Sequence, residues 1–332
     1  MILFLLSIVG SFAQTSPFNG LSIGEVDSAG NYRVVISGHF HGSGKDRSGF
    51  PAATLLANID RINSLNATLV LSTGDLFLEP DKDHKQYDRS FFSRLNAPLF
   101  NVPGNHDKGK YYEEHFSPTF FSFKMGADAF VLFDTERKDG SLGGDQLALL
   151  EDLRQSVHKR IFILSHRPIW AESDKVYGPL FEGNTRSLIG TNFEKDVVPL
   201  LEELAARSQI FWVSGSTAGK APSSIFFQPH GPNITYIQSA IRNSPWDALL
   251  VADISPGSVQ WSSLPLTDRP GTDPTTFNAD WWKKHSGTEK KFNPRLIPFY
   301  MKSALMRPIF WYGAVFGLLL FASIRWVVRR FL

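Results

Sequence analysis

Leu99-Phe-Asn-Val-Pro-Gly-Asn-His-Asp107 is the stretch that decides how this chain is read. Its first four residues form a short, mostly apolar run suited to a buried strand. Pro103 and Gly104 break that run, and three side chains able to coordinate or move a proton follow at once. Four specified residues in a row, Gly104-Asn105-His106-Asp107, are a rare coincidence at average composition. Three other apolar runs end in the same manner. Arg33–Ser37 leads into Gly38-His39-Phe40-His41-Gly42, Thr68–Ser72 into Thr73-Gly74-Asp75, and Ile161–Ser165 into His166-Arg167-Pro168. In α/β sheets, ligand sites form where loops converge at the carboxyl ends of strands. The order therefore predicts one rim carrying His39, His41, Asp75, Asn105, His106, Asp107 and His166. Oxygen and imidazole donors without thiolate suit Mn, Fe, Zn or Mg. Taken singly, a strand-end Gly-Asp is usually a turn and a lone His usually a satisfied polar residue; the repeated placement carries the reading.

Helical stretches at Ala52–Leu65, His84–Leu95, Gly144–Ser156 and Asn192–Arg207 lie among these strands. Aromatic runs at Phe120–Lys124 and Ala129–Asp134 read as a hairpin. Strand-like runs follow at Ile210–Ser214, Ser224–Gln228, Thr235–Ser239, Ala248–Ile254 and Val259–Ser262. Strands that first alternate with helices and then stand mostly alone predict two packed sheets with helices outside.

Over roughly Val34 to Ser262 these residues resemble the calcineurin-like metallophosphoesterases, whose pattern is Asp-x-His, Gly-Asp, Gly-Asn-His-Asp/Glu, a lone His, then Gly-His-x-His. The resemblance implies an α/β fold, a four-layer αββα double β-sandwich with a dinuclear metal centre that hydrolyses phosphate esters. Carried over residue by residue, it makes His41 a ligand of the first metal and Asp75 the bridging carboxylate. It makes Asn105 and His166 ligands of the second metal. His106 becomes the group that protonates the leaving oxygen or stabilises phosphoryl charge, oriented by Asp107. Two motifs depart from the pattern. His39 stands where the family has Asp, and Gly215-Ser216-Thr217-Ala218 stands where it has Gly-His-x-His. The first metal would keep His39, His41 and Asp75, and the second Asp75, Asn105 and His166. Three protein ligands plus water can hold a catalytic metal. One carboxylate instead of two neutralises a pair of divalent ions less well, so one ion is expected more than two. Two readings follow: a phosphoesterase acting on a phosphate ester through a depleted site, and a non-catalytic binding or scaffolding module that has lost its metal. Gly215 to Lys220 is not a nucleotide-binding loop, because its glycines enclose three residues and Ala221-Pro222 replaces the magnesium-binding hydroxyl. Lys45, Lys220 and His230 are minor candidates for the rim.

The chain has 332 residues and no cysteine, which excludes a disulfide scaffold, a thiolate metal site and a cysteine nucleophile. Its net charge of +2 hides a split. From Trp281 onward ten basic residues face Glu289 alone, +9, leaving −7 on the first 280 residues. An acidic body does not suit nucleic-acid binding. Met1 to Ala13 reads as a signal peptide, too short to span a bilayer core of roughly 30 Å. The phosphoesterase-like body is expected over 21–263 and a Pro-rich, basic, semi-extended stalk over 264–306. A single membrane anchor with a short tail is expected over 307–332, its apolar Ile309–Val328 broken only by Arg325. The leader places the body on the extracytoplasmic side of a single-pass membrane protein. Composition names no protein partner.

Overall fold

The computed structural model describes residues 14–44, 47–172, 174–181, 191–217, 221–286 and 297–331. The expected signal peptide, Lys45, Ala218 and Lys220 lie outside the described residues. The strands are β1 (Tyr32–Ser37), β2 (Leu69–Ser72), β3 (Leu99–Asn101), β4 (Phe121–Met125), β5 (Asp128–Phe133), β6 (Arg160–Ser165), β7 (Gln209–Ser214), β8 (Ile225–His230), β9 (Ile234–Ser239), β10 (Ala248–Ile254) and β11 (Val259–Pro265). They form a five-stranded sheet, β11-β10-β1-β2-β3, and a six-stranded sheet, β4-β5-β6-β7-β9-β8.

Register is what assembles the rim. In the first sheet β1, β2 and β3 are parallel, with Ser37 opposite Ser72 and Ser72 opposite Asn101. In the second, parallel β5, β6, β7 and β9 align Phe133, Ser165, Ser214 and Gln238. The loops after these strands therefore leave each sheet level with one another. Alternation along the strands separates two apolar layers. Val34, Ile36, Leu69 and Leu71 point between the sheets, where Phe123, Phe130, Phe162 and Phe211 stand opposite one another across four strands. Val35, Val70 and Leu99 point outward to helices. Those helices are α1 (Ala53–Leu56), α2 (Ile59–Asn63), α3 (Pro80–Ser90) and α4 (Lys110–Phe116). The second sheet is flanked by α5 (Asp145–Asp152), α6 (Gly178–Phe181) and α7 (Val198–Ala205).

All the expected strands are present, but the helices differ in detail. The single helix expected over 52–65 is two, because Asn58 takes the Thr54 and Leu266 carbonyls with its side-chain amide and leaves helical geometry. The helix expected from His84 starts at Pro80, whose missing N–H costs nothing at a first position. The body also starts earlier than residue 21. Ser16 donates to the Leu99 carbonyl, Asn19 to that of Ala97, and the Phe18 ring stacks on Phe116 at 4.7 Å.

The expected stalk is corrected more fully. β11 runs to Pro265, and α8 (Ala279–His285) lies against β8 with Trp282 buried, its indole N–H donating to the Ile225 carbonyl at 2.9 Å. Next, α9 (Ile297–Leu305) docks beside α1, with Lys302 Nζ donating to the Ala57 carbonyl. Proline and lysine content suggested an extended tether, yet Phe277 and Trp282 are apolar anchors for which the body provides a seat. The chain ends in α10 (Pro308–Phe331). Over Pro308–Arg330 it has a mean hydropathy of 1.6 and nothing buried inside the fold, and it is long and apolar enough to cross a membrane.

Candidate metal centre

Asp75 is the hub of the rim. Its Oδ2 lies 3.5 Å from Nε2 of His39, 3.5 Å from Nε2 of His41 and 3.6 Å from Nε2 of His166. Its Oδ1 accepts the main-chain N–H of His106 at 3.0 Å. Four loops from two sheets thus meet at one carboxylate. Cross-sheet hydrogen bonds hold them there. Gly38 N–H and the Thr73 hydroxyl both donate to the Ser239 carbonyl, and Ile241 N–H donates to that of Gly38.

Close approach requires two glycines. At Gly74 (φ +97°) a Cβ would fall 2.4 Å from His166 Nδ1, and at Gly104 one would fall 2.3 Å from the Asp75 nitrogen. His39 and Asp75 themselves adopt left-handed backbone, φ 55° and 57°, conformations that cost a side-chain-bearing residue about 1–3 kcal/mol. Such strain persists only where the surroundings enforce it.

The donor set fits a divalent cation on its own chemistry. Nε2 of His39, Nε2 of His166 and both ring nitrogens of His41 are buried without a hydrogen-bond partner. His166 is oriented by Nδ1, which lies 2.9 Å from the Thr73 carbonyl and leaves Nε2 turned to Asp75. Burial pushes His39 well below its usual pKa, helped by the charges of His41, His166 and Arg242 and opposed by Asp75. Burial acts to raise Asp75, but His166, His41 and His39 together hold it well below the ordinary carboxylate range. An ionised carboxylate ringed by imidazole nitrogens is a donor set suited to a divalent cation.

The structure brings His39, His41, Asp75, His106 and His166 together, grouped differently from the resemblance. Ligand atoms lie within 4.8 Å of one another in two sets that share Asp75: His39 with His166, and His41 with His106. Asn105 sits half-buried between Gly104 and His106. Asp107 does not orient His106. Its buried carboxylate accepts the backbone N–H groups of Leu76, Phe77 and Gly104 and the Asn101 amide. It ties the Asp75 loop to the Gly104 loop. His106 Nδ1 instead lies 3.3 Å from the Leu78 carbonyl. Ser216 is buried, its N–H donating to the His166 carbonyl at 2.7 Å. His230, at the end of β8, pairs with the Tyr177 hydroxyl at 3.0 Å and does not join the rim.

Two residues escaped the sequence reading. Asn101 accepts from Gly74 N–H and donates to Asp107 and the Tyr112 hydroxyl, linking the second and third loops. As the last residue of β3 it precedes the motif, where it reads as strand. Arg242 follows β9, with Nη2 donating to the Ala221 carbonyl and its N–H to Asp247. It brings positive charge near His39, and no local motif marks it.

A model of the calcineurin-like phosphoesterases matches residues 48–187, the span that holds Asp75, Gly104–Asp107 and His166. Over that span the chain is similar to the calcineurin-like phosphoesterases. No curated protein matches it. Among solved structures it is similar to a dimetal phosphatase from Danio rerio, at 14% identity over 73% of this chain and 99% of that one, TM-score 0.49. It is also similar to a predicted phosphoesterase from Streptococcus pneumoniae TIGR4, at 16% identity, 71% and 90% coverage, TM-score 0.34. Vacuolar Protein Sorting 29 from Cryptosporidium parvum is a third, at 12% identity, 73% and 95% coverage, TM-score 0.36. The phosphoesterase family implies divalent-metal use, in keeping with the donor sets around Asp75.

Proposed function

We propose that this chain is a membrane-anchored phosphoesterase that hydrolyses a phosphate ester on the extracytoplasmic side of a membrane. One observation carries the reading: three buried, unpartnered imidazole nitrogens converge on the Asp75 carboxylate. A pure scaffold has no need of that arrangement, which costs desolvation and backbone strain.

Asp75, His39 and His166 would hold one divalent cation, with His41 and Asn105 the remaining donors. A bound cation there supplies Lewis-acid stabilisation of phosphoryl charge. The chain's own residues do the rest. Asp75 contributes fixed negative charge and, through Oδ1, sets the main-chain position of His106. With Nδ1 of His106 donating to Leu78, its Nε2 is the nitrogen that delivers a proton to the departing alkoxide. Asp107 keeps both loops in place. The extracytoplasmic assignment rests on the apolar leader Met1–Ala13 together with the C-terminal α10.

The test measures bound metal on the purified full chain and hydrolysis of phosphomono- and diesters with added Mn²⁺. His106→Asn is expected to keep the metal and lose most of the turnover, since a positioned acid contributes about 10²–10⁴-fold. No stoichiometric metal and no turnover on any ester would favour the binding-module reading, whose motive is three replaced ligands, His39 in the first motif and Ser216 and Ala218 in the last. Turnover unchanged in a variant lacking both Asp75 and His106 would remove the site altogether.

A further inference from the structure

The segment joining the body to α10 presents two unlike faces. Its inner face is committed to the body. Ser303 is buried, Lys302 Nζ donates to the Ala57 carbonyl, and Arg94 donates to Met306 Sδ. The Arg307 guanidinium lies 4.7 Å over the Phe50 ring. Its outer face is apolar and open. Ile297, Met301 and Leu305 are 47%, 55% and 45% exposed, and their spacing of four residues places them in one stripe along α9. The join to α10 is fixed as well, because the Trp311 indole N–H donates to the Leu305 carbonyl at 3.0 Å. An apolar stripe therefore runs directly into a helix of membrane-spanning length, with Trp311 and Tyr312 in the first turn of that helix, where interfacial aromatics sit.

We infer that α9 lies in the bilayer interface, apolar stripe down, and holds the body against the same membrane that α10 spans. The occupant of the stripe is lipid, because the stripe is continuous with α10. An amphipathic helix of this kind buries its apolar face about 5–10 Å into the headgroup and acyl boundary. The consequence reaches the rim. Phe50 belongs to the loop that runs from His41 to α1, so Arg307 fixes the loop bearing His39 and His41 next to the membrane surface.

This inference rests on the anchor reading, and the test separates the two. The absence of cysteine allows nitroxide labels at single introduced cysteines with no background. The full chain, reconstituted in phosphatidylcholine vesicles, carries a label at Met301→Cys, Leu305→Cys, Leu319→Cys or Ser28→Cys. Collision rates with oxygen and with a water-soluble nickel chelate report depth. Labels at 301 and 305 are expected to favour oxygen severalfold over Ser28, an exposed residue of the body, and label 319 more strongly still. Labels 301 and 305 resembling Ser28 while 319 stays lipid-exposed would overturn the interfacial helix and leave the anchor standing. Water exposure at 319 as well would overturn both.

Discussion

Gly104→Ala is the sharpest probe of how the rim is assembled. The added Cβ would lie 2.2 Å from Asp75 Oδ1, 2.8 Å from its Cγ and 2.3 Å from its backbone nitrogen. A carboxylate can rotate away, but a backbone nitrogen cannot. Restoring ordinary contact at 3.4 Å requires the two loops to part by roughly 1 Å. That movement stretches the His106-to-Asp75 hydrogen bond, now 3.0 Å, beyond bonding range. It also pulls the Asp107 carboxylate from the Leu76 N–H across the same gap, now 2.9 Å. Two such bonds at about 1 kcal/mol each, with overpacking strain, give a destabilisation of about 2–4 kcal/mol. Metal ligands tolerate displacements of only about 0.2 Å, so affinity for Mn²⁺ should fall about 10–100-fold. Urea unfolding of the apoprotein reads the first effect and calorimetric titration with Mn²⁺ the second. Gly143→Ala is the control, since a Cβ there meets nothing within 4 Å. Wild-type stability in Gly104→Ala would refute the close approach of the two loops, whatever the metal does.

Asp75→Asn removes the only carboxylate shared by both donor sets, so saturating Mn²⁺ should no longer raise the melting temperature. In the wild type, metal at 100 times its dissociation constant should stabilise by about 2.7 kcal/mol, a shift of roughly 5–10 °C for a body of this size. An equal shift in both proteins would remove Asp75 from the site. Trp282→Ala should cost about 3–5 kcal/mol in urea unfolding, because the ring is buried against Phe181 and Phe226; a loss under about 1 kcal/mol would restore the stalk. Burial, aided by Lys124 and Arg207, pushes His158 below its usual pKa. Its unfolded form takes up a proton first, so stability is full above about pH 6.5 and declines as pH falls through the folded value. His158→Gln should flatten part of that decline in melts between pH 7 and 5, and an unchanged profile would count against the assignment.

What local sequence determined was the set of rim residues. Gly104-Asn105-His106-Asp107 and the Gly-Asp of Gly74-Asp75 are short covalent patterns at strand ends, and alternation and apolar runs predict the strands themselves. The span of α10 was equally legible, because twenty apolar residues need no partner to be recognised. Tertiary structure decided who acts with whom. Residues 39 and 166 share a donor set because two sheets present their strand ends together, and no local pattern encodes a contact between residues so far apart in the chain. Asp107 sits beside His106 in sequence yet turns to Leu76 and Phe77, since buried backbone N–H groups there need an acceptor. The Pro-rich segment reads as a tether by composition and becomes part of the body because Trp282 finds a buried seat. Sequence thus determined which side chains stand at the strand ends and which helix is apolar enough to cross a membrane. The packing of two sheets decided the pairings, since desolvation and hydrogen-bond satisfaction act between neighbours in space.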